Sequence, residues 1–243
     1  MKTETSEHIL SYGTRRIPFQ LRTMERKRLR ITVRPNLSVR ADAPDTFSES
    51  EILEAMQSKA SWVASQLDEL EAYHPLPKPH RYVSGETIVY LGRQYRLKIE
   101  QGENLPAKLR GKFLHITAAD AKDRKSIKIK VEAWYRQRAE VTFARYLQNC
   151  LPVTSRHGIT EPIVSIRKMR TRWGSCSAKE RVTLNLHLIQ APVHCIEYVI
   201  MHELCHLKHH NHSPAFYSLL SRCMPDWQKR RQLLKQVVIT QVD

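Results

Sequence analysis

The stretch that decides the fold is Val199-Ile200-Met201-His202-Glu203-Leu204-Cys205-His206-Leu207-Lys208-His209-His210-Asn211-His212-Ser213. His202 and His206 are four residues apart, which is about 400° around an α-helix, so both side chains point in nearly the same direction, one turn apart. Two imidazoles placed in this way can bind one metal ion. Glu203 lies about 100° away, where its carboxylate can take a proton from water held by that ion. The pattern predicts a metal site on a helix.

The third ligand does not follow from helical periodicity alone. His209 lies on the same face as His202 but about 10.5 Å further along the axis, so three ligands on a straight helix would be strained to meet. Asn211 tolerates the left-handed conformation that ends helices, and Pro214 does not readily continue one, so the chain is expected to turn back. We therefore favour His212 as the third ligand, with His209 or a more distant residue as the alternatives.

The sequence on either side of this stretch predicts an α+β chain. Short alternating runs at 17–22 and 29–33 predict a hairpin or meander, followed by a helix to about residue 73. Prolines at 75, 77 and 79 predict a linker near 74–80. The domains expected are a β-rich region with one helix, 1–122, and a region carrying the metal helix, 123–243. Further elements are predicted as a hairpin over 88–99, a strand at 114–116, a long amphipathic helix over 124–151, strands at 163–166 and 182–189, a metal helix from Pro192, and helices over 214–223 and 225–237.

Composition and charge limit the function classes. The 243 residues are 41% hydrophobic, enough for a folded core, and the net charge is +16. Basic clusters near residues 26–30, 167–172 and 229–231 are either solvated faces or a surface for nucleic acid. Without an apolar run of about 20 residues or a signal-peptide pattern, the expectation is a cytoplasmic protein with no membrane association. Five cysteines without a CxxC pair do not favour a disulfide framework or a cysteine-zinc site.

The metal-helix stretch resembles the YgjP-like metallopeptidase family, which is related to the SprT-like and WLM zincins. The resemblance extends to Arg170-Thr171-Arg172-Trp173-Gly174-Ser175-Cys176-Ser177, to Leu184-Asn185-Leu186-His187-Leu188-Ile189-Gln190-Ala191-Pro192, and to Ser84-Gly85-Glu86 and Tyr90-Leu91-Gly92-Arg93-Gln94-Tyr95-Arg96-Leu97. It implies a zincin-like C-terminal part, in which the metal helix packs against a small sheet. It also implies one zinc ion held by His202, His206 and His212, with Glu203 as the general base. A metzincin is not expected, because that group's glycine position is His209 here and no convincing Met-turn is present; Met224 is expected to pack in a turn.

Four residues outside the histidine motif have two possible roles each. Trp173 and Gly174 either shape a turn or touch substrate, and Cys176 is either a buried thiol or a reactive one. Asn185 either holds a loop by hydrogen bonds or binds substrate. A strand edge beside the metal helix is a further candidate, because an extended peptide can add to a sheet.

The function that the sequence predicts is peptide-bond hydrolysis by a zinc-activated water with a glutamate base. One alternative is a basic nucleic-acid-associated protein, which includes a SprT-like protease acting on proteins bound to nucleic acid. The other is a zinc-stabilised interaction module without turnover. The substrate and the oligomeric state do not follow from the sequence.

Overall fold

A computed structural model describes residues 5–34, 36–71, 80–103, 105–169, 172–177 and 180–237. The chain divides into two compact units, Met1–Pro77 and Lys78–Asp243. The linker expected near 74–80 lies, apart from His80, outside the described residues. Among the described residues, none of the helices combines the length and the apolar character that a membrane span requires.

The first unit is a four-stranded sheet with two helices. The strands are β1 (Thr5–Tyr12), β2 (Arg15–Met24), β3 (Arg30–Val33) and β4 (Val39–Pro44), in the order β1-β2-β4-β3, with β2 and β4 parallel. Alternation along β2 buries Ile17, Phe19 and Leu21, as a sheet with one covered face requires. The helices are α1 (Glu49–Gln57) and α2 (Ala60–Glu71), whose apolar residues join the same core.

The single helix expected in this region is broken into two. A capping box between Ser48 and Glu51 starts α1. At its end, the Ser58 hydroxyl donates to the Ala55 carbonyl at 2.8 Å, and the Lys59 N–H bonds the carbonyl three residues back. A side chain that bonds the helix backbone competes with the regular ladder, and here the helix stops and restarts.

The second unit begins at residue 78, not at 123 as the sequence suggested. Its strands β5 (Thr87–Tyr90), β6 (Arg93–Gln101), β7 (Lys108–Arg110) and β8 (Phe113–Ala118) form a sheet in the order β5-β6-β8-β7. The buried side chains of this sheet share one core with α3 (Arg124–Ser155), among them Leu97, Leu114 and Ile127. The sheet and the helix therefore belong to one folding unit, since they cover each other's apolar faces.

The remaining elements build the metal helix and its surroundings. They are β9 (Ile163–Arg167), β10 (Gly174–Cys176), β11 (Arg181–Asn185), a short 3₁₀ helix (Leu186–Gln190), α4 (Val193–His206), α5 (Pro214–Cys223) and α6 (Trp227–Lys235). The small sheet has the order β10-β11-β9, which leaves β10 at an edge, and α4 packs against β10 and β11. This confirms the expected metal helix against a small sheet.

The strand expected over 182–189 ends earlier than the sequence pattern suggested. The Asn185 side chain accepts the His187 N–H at 3.1 Å and caps the 3₁₀ helix. An asparagine that bonds the backbone two residues ahead favours a turn over an extended chain. Alternating hydrophobicity concealed this change, because every residue from Leu186 to Gln190 is buried.

Candidate metal centre

The metal helix α4 is fixed in position at its N-terminal end by the turn between β5 and β6. The N–H groups of Leu91 and Gly92 donate to the carbonyls of Ile189 and Gln190 at 3.0 and 2.9 Å. Gly92 has a φ of +75°, and a Cβ there would lie 2.8 Å from Pro192 Cγ. Only glycine allows this approach to the start of α4. The hairpin expected from the sequence thus anchors the helix that carries the histidines.

The chain turns back after α4 and brings a third histidine to the first two. The helix ends at His206, and Ser213 caps the next helix by accepting the Phe216 N–H. His212 lies directly before that cap. The three Nε2 atoms form a nearly equilateral triangle, at 3.1 Å for His202–His206, 3.2 Å for His206–His212 and 3.1 Å for His202–His212. No other Cys, His, Asp or Glu of the described residues joins this cluster.

His209 was considered as a metal ligand, but the structure gives it another role. Its backbone carbonyl lies 2.9 Å from Nδ1 of His206. Nδ1 therefore carries the proton and donates it to the carbonyl, and Nε2 keeps a free lone pair toward the other histidines. A partner of this kind fixes both the tautomer and the orientation of a metal-binding imidazole.

The triangle has the size that a small divalent ion requires. A tetrahedral ion with metal–nitrogen bonds of about 2.0–2.1 Å has nitrogen–nitrogen edges of about 3.3–3.4 Å. The observed edges of 3.1–3.2 Å are slightly shorter. The three imidazoles would occupy three corners, and no further His, Cys, Asp or Glu side chain of the described residues is placed to take the fourth. The donor set fits an ion with one position open.

An aromatic ring forms the floor beneath the three imidazoles. The Phe216 ring centroid lies 5.0, 4.5 and 5.0 Å from those of His202, His206 and His212. Phe216 is 0% exposed, so it cannot move away from the rings without opening a cavity. No pattern in the sequence singled out Phe216. Its place three residues after the Ser213 cap shows only that it lies in the first turn of α5. Met224, expected to pack in a turn, is buried at the end of α5.

Burial favours the neutral form of His202 and His206. It lowers the pKa of His202 to about 3, and the neighbouring His206 and His212 lower it further. The pKa of His206 is also lowered, mainly by burial. Removing a charged imidazole from water is costly, and a second nearby positive charge adds to that cost. Neutral imidazoles are the form that binds a metal ion.

Glu203 is buried beside the histidines and has an unpaired oxygen. The residue is 5% exposed, and burial raises its pKa to about 7, while Arg172 acts in the opposite direction. Its Oε2 has no hydrogen-bond partner in the protein. A buried carboxylate oxygen without a partner is costly unless water or a ligand satisfies it. The side chain is therefore placed to bond a molecule held at the histidine cluster.

The backbone of β10 confines the Glu203 side chain. A Cβ built on Gly174 would lie 2.5 Å from Oε1, 2.7 Å from Cγ and 2.8 Å from Cδ of Glu203. The absence of a side chain at Gly174 is what allows β10 to lie directly against the glutamate. Shaping a turn and touching substrate were the two roles considered for Gly174. The structure shows a third role, in which Gly174 lies on a strand and packs closely against Glu203.

The histidines and Glu203 line an open cleft of about 550 Å³. Trp173 and Cys176 also line it, and both are partly exposed. Burial and the nearby Glu203 raise the pKa of the Cys176 thiol, which keeps it protonated and weakly nucleophilic. The other four cysteines are buried, and all five are free thiols.

Asn185 holds a loop and does not face the cleft. Its Nδ2 donates to the carbonyls of Met169 and Arg172 at 2.8 and 2.9 Å, and its Oδ1 accepts the Met169 N–H at 3.3 Å. With 0% exposure, it has no surface to offer a peptide. The role of substrate binding is therefore not supported, and the loop-holding role is the one observed. The loop that it holds leads into Trp173 and β10, which form one wall of the cleft.

The comparison with known protein families agrees with this geometry. A family model described as the YgjP-like metallopeptidase domain matches residues 27–237. The chain belongs to the YgjP-like metallopeptidase family. The expected resemblance is thus confirmed, and it covers most of the chain, including the histidine cluster, the β10 wall and the hairpin that anchors α4.

The solved structures include a similar chain, the metallopeptidase zymogen abylysin of Pyrococcus abyssi. It is 22% identical, with 37% of this chain and 87% of that chain covered and a TM-score of 0.33. No curated protein matches the chain.

Proposed function

We propose that this YgjP-like protein is a zinc-dependent peptidase in which His202, His206 and His212 hold the ion and Glu203 is the general base. The observation that carries the proposal is the convergence of three Nε2 atoms within 3.2 Å of one another beside a buried, unpartnered carboxylate oxygen. This arrangement lies in an open cleft. A structural metal site closes its coordination sphere with a fourth protein ligand, whereas a catalytic site keeps a position free.

Zinc is the metal that the donor set favours. Three neutral imidazoles suit a borderline ion of tetrahedral preference, whereas magnesium and calcium require oxygen ligands. When bound, zinc supplies a Lewis acid that makes water acidic near neutral pH and polarises a peptide carbonyl. The Nδ1 hydrogen bond of His206 to the His209 carbonyl keeps the required nitrogen free for this ion.

Glu203 moves the protons of the reaction. Its carboxylate takes a proton from the attacking water and later delivers it to the nitrogen of the leaving amine. In the metal-free protein burial raises the pKa of Glu203 to about 7; a bound cation would lower this pKa, which leaves the carboxylate ionised and able to accept the proton. The contact with Gly174 limits the directions in which the carboxylate can swing and keeps it directed at the cluster.

The edge strand β10 offers a way to hold an extended peptide. Its one partner among the described strands is β11, so no described strand lies along its other edge, and its residues line the cleft. A peptide that adds to this edge would run past the metal site with its carbonyl groups in regular spacing. Soaking a non-cleavable peptide into crystals tests this placement, and a peptide bound away from β10 would contradict it.

The experiment that tests the function compares metal content with peptide hydrolysis. Purified wild-type protein is expected to contain about one zinc per chain and to cleave members of a mixed peptide library, detected by mass spectrometry. Glu203→Gln should keep the metal and lose hydrolysis, because the amide cannot accept the proton. His212→Ala should lose most of the metal.

His209→Ala is the matched control for His212→Ala, because it removes an imidazole from the same turn and leaves intact the carbonyl that His206 bonds. It should retain wild-type zinc. Equal zinc in both variants, or hydrolysis that persists in Glu203→Gln, would overturn the proposal. Unchanged function in Glu203→Gln with zinc bound would favour the interaction module without turnover.

A further inference from the structure

The cleft has a strongly positive rim. Arg172, Arg231 and Lys235 line it, and Glu203 is the one carboxylate among its described lining residues. Because Glu203 is assigned to the proposed reaction, no other carboxylate among the described residues that line the cleft is left to pair with Arg172 or Arg231. A ligand with negative charge would supply what the protein lacks.

The two arginines approach the metal site from different elements. Arg172 lies directly before Trp173 and β10, and it lines the cleft together with Glu203. Arg231 lies on α6 and lines the same cleft together with His202. Groups from two separate parts of the chain thus place positive charge within reach of whatever occupies the cluster.

Neither arginine is occupied by an ion pair within the described chain. The neighbouring Arg230 shows the contrast, because it bonds Glu197 at 2.6 Å and Asp226 at 2.8 Å. No carboxylate of the described residues lies within ion-pair distance of Arg172 or Arg231. Arg230 is a structural arginine that ties α6 to α4, whereas Arg231, one residue on, is directed into the cleft.

The backbone at each arginine is held by contacts with other elements. The Arg172 carbonyl accepts a hydrogen bond from the buried Asn185 at 2.9 Å. Arg231 is held on α6 between Arg230, which is ion-paired to α4, and Leu234, which is 6% exposed. A guanidinium on a rigid base loses less freedom when it binds, and its planar donors match a carboxylate with two parallel hydrogen bonds.

We propose that Arg172 and Arg231 select peptides that carry a carboxylate within a residue or two of the bond that is cleaved. This rests on the proposed peptidase function and names its substrate class. The carboxylate belongs either to an acidic side chain or to the C-terminus of the peptide. The cleft favours a peptide over a nucleic acid because the edge strand β10 lines it too, and a strand edge can pair with a peptide backbone.

Three matched peptides distinguish the two sources of the carboxylate. The first has glutamine beside the cleaved bond and an amidated C-terminus, the second replaces this glutamine with glutamate, and the third keeps glutamine and has a free C-terminal carboxylate close to the bond. We expect kcat/KM for the second or the third to exceed that for the first by tenfold or more, as charge-assisted hydrogen bonds of this kind provide. The preferred peptide identifies the source.

The variants Arg172→Ala and Arg231→Ala test which residues create the preference. The ratio of kcat/KM for the preferred peptide to that for the neutral one should fall about tenfold in each variant, whatever happens to the absolute rates. Arg124→Ala is the matched control, because it removes one positive charge from the exposed start of α3. Its ratio should stay at the wild-type value. A wild-type ratio near one, or equal falls in all three variants, would overturn the proposal.

A binding assay separates this proposal from the peptidase function. Zinc-loaded Glu203→Gln is titrated with the same peptides, fluorescently labelled, and binding is followed by anisotropy. If no peptide is hydrolysed by the wild type yet the carboxylate peptides bind at least tenfold more tightly, the peptidase function fails and the carboxylate site stands. Equal binding of all three peptides rejects the carboxylate site. An oligonucleotide that displaces the peptides, and whose binding is lost in Arg172→Ala and Arg231→Ala, would assign the rim to nucleic acid instead.

Discussion

Replacing Gly174 by alanine should displace the proposed general base without disturbing the metal. The new Cβ would lie 2.5 Å from Glu203 Oε1, whereas ordinary contact begins at 3.4 Å, so about 0.9 Å of movement is needed. The carboxylate is the group that can give way, because its partner is the backbone of β10. A misplacement of about 1 Å at a reacting group costs roughly a hundredfold in rate. We therefore expect kcat/KM to fall about a hundredfold while zinc content stays at the wild-type level.

The assay is peptide hydrolysis and metal analysis on the same preparation, with thermal unfolding as a third measurement. Overpacking should also cost about 1–3 kcal/mol of stability. That loss should largely disappear when Gly174→Ala is combined with Glu203→Ala, since the clashing side chain is then absent. Gly102→Ala is a matched control, because it changes the unfolded chain in the same way and a Cβ there meets Thr117 at 3.1 Å, outside the cleft.

Two results would refute the reasoning about Gly174. Wild-type hydrolysis in Gly174→Ala would show that the glutamate does not need its present position. Loss of zinc in parallel with activity would show that the strand and helix separate, so that the clash is relieved by movement of the histidines and not of Glu203.

Three further predictions concern the neighbours of the site. Phe216→Leu should weaken zinc binding about tenfold in a chelator competition, because the flat floor under the imidazoles is lost; Phe143→Leu, a buried control on α3, should leave it unchanged, and equal losses would contradict a specific role. Asn185→Ala should cost about 2–3 kcal/mol in urea unfolding, because it leaves buried backbone groups unpaired; a loss under about 0.5 kcal/mol would contradict this. In metal-free protein, burial raises the pKa of Glu203 to about 7, so its contribution to stability is present below the unfolded value of about 4.5 and is lost as pH rises through 7. Wild type should therefore lose stability relative to Glu203→Gln between about pH 5 and 8, and parallel pH curves would contradict the raised pKa.

The sequence predicted the helices and strands whose pattern depends only on residues close together in the chain. The spacing of His202 and His206 follows from 3.6 residues per turn, so both the helix and the shared direction of the two rings were predictable. The hairpin before α3 and the helix Pro214–Cys223 were found in the same way, from alternation and from proline at a helix start. Helix length and the expected chain reversal also favoured His212 over His209, and the geometry of the cluster supports this choice.

The domain boundary and the role of Asn185 needed the tertiary structure. The sheet of β5 to β8 belongs with α3 because the two bury their apolar surfaces against each other. The sequence pattern of a strand or helix shows which of its faces is apolar, but not which other element covers that face. Asn185 interrupts an apolar strand in sequence, but only its hydrogen bonds to residues 169 and 172 show that it braces the cleft wall.

Sequence alone therefore determined which groups are available for chemistry, and the tertiary structure decided how they are held. Helical and strand periodicity are properties of neighbouring residues, so they place His202, Glu203 and His206 on one helix. The approach of Gly174 to Glu203 and of Phe216 to the imidazoles joins residues on different elements. Such contacts depend on how whole elements pack at close range, where a shift of less than an ångström changes the outcome.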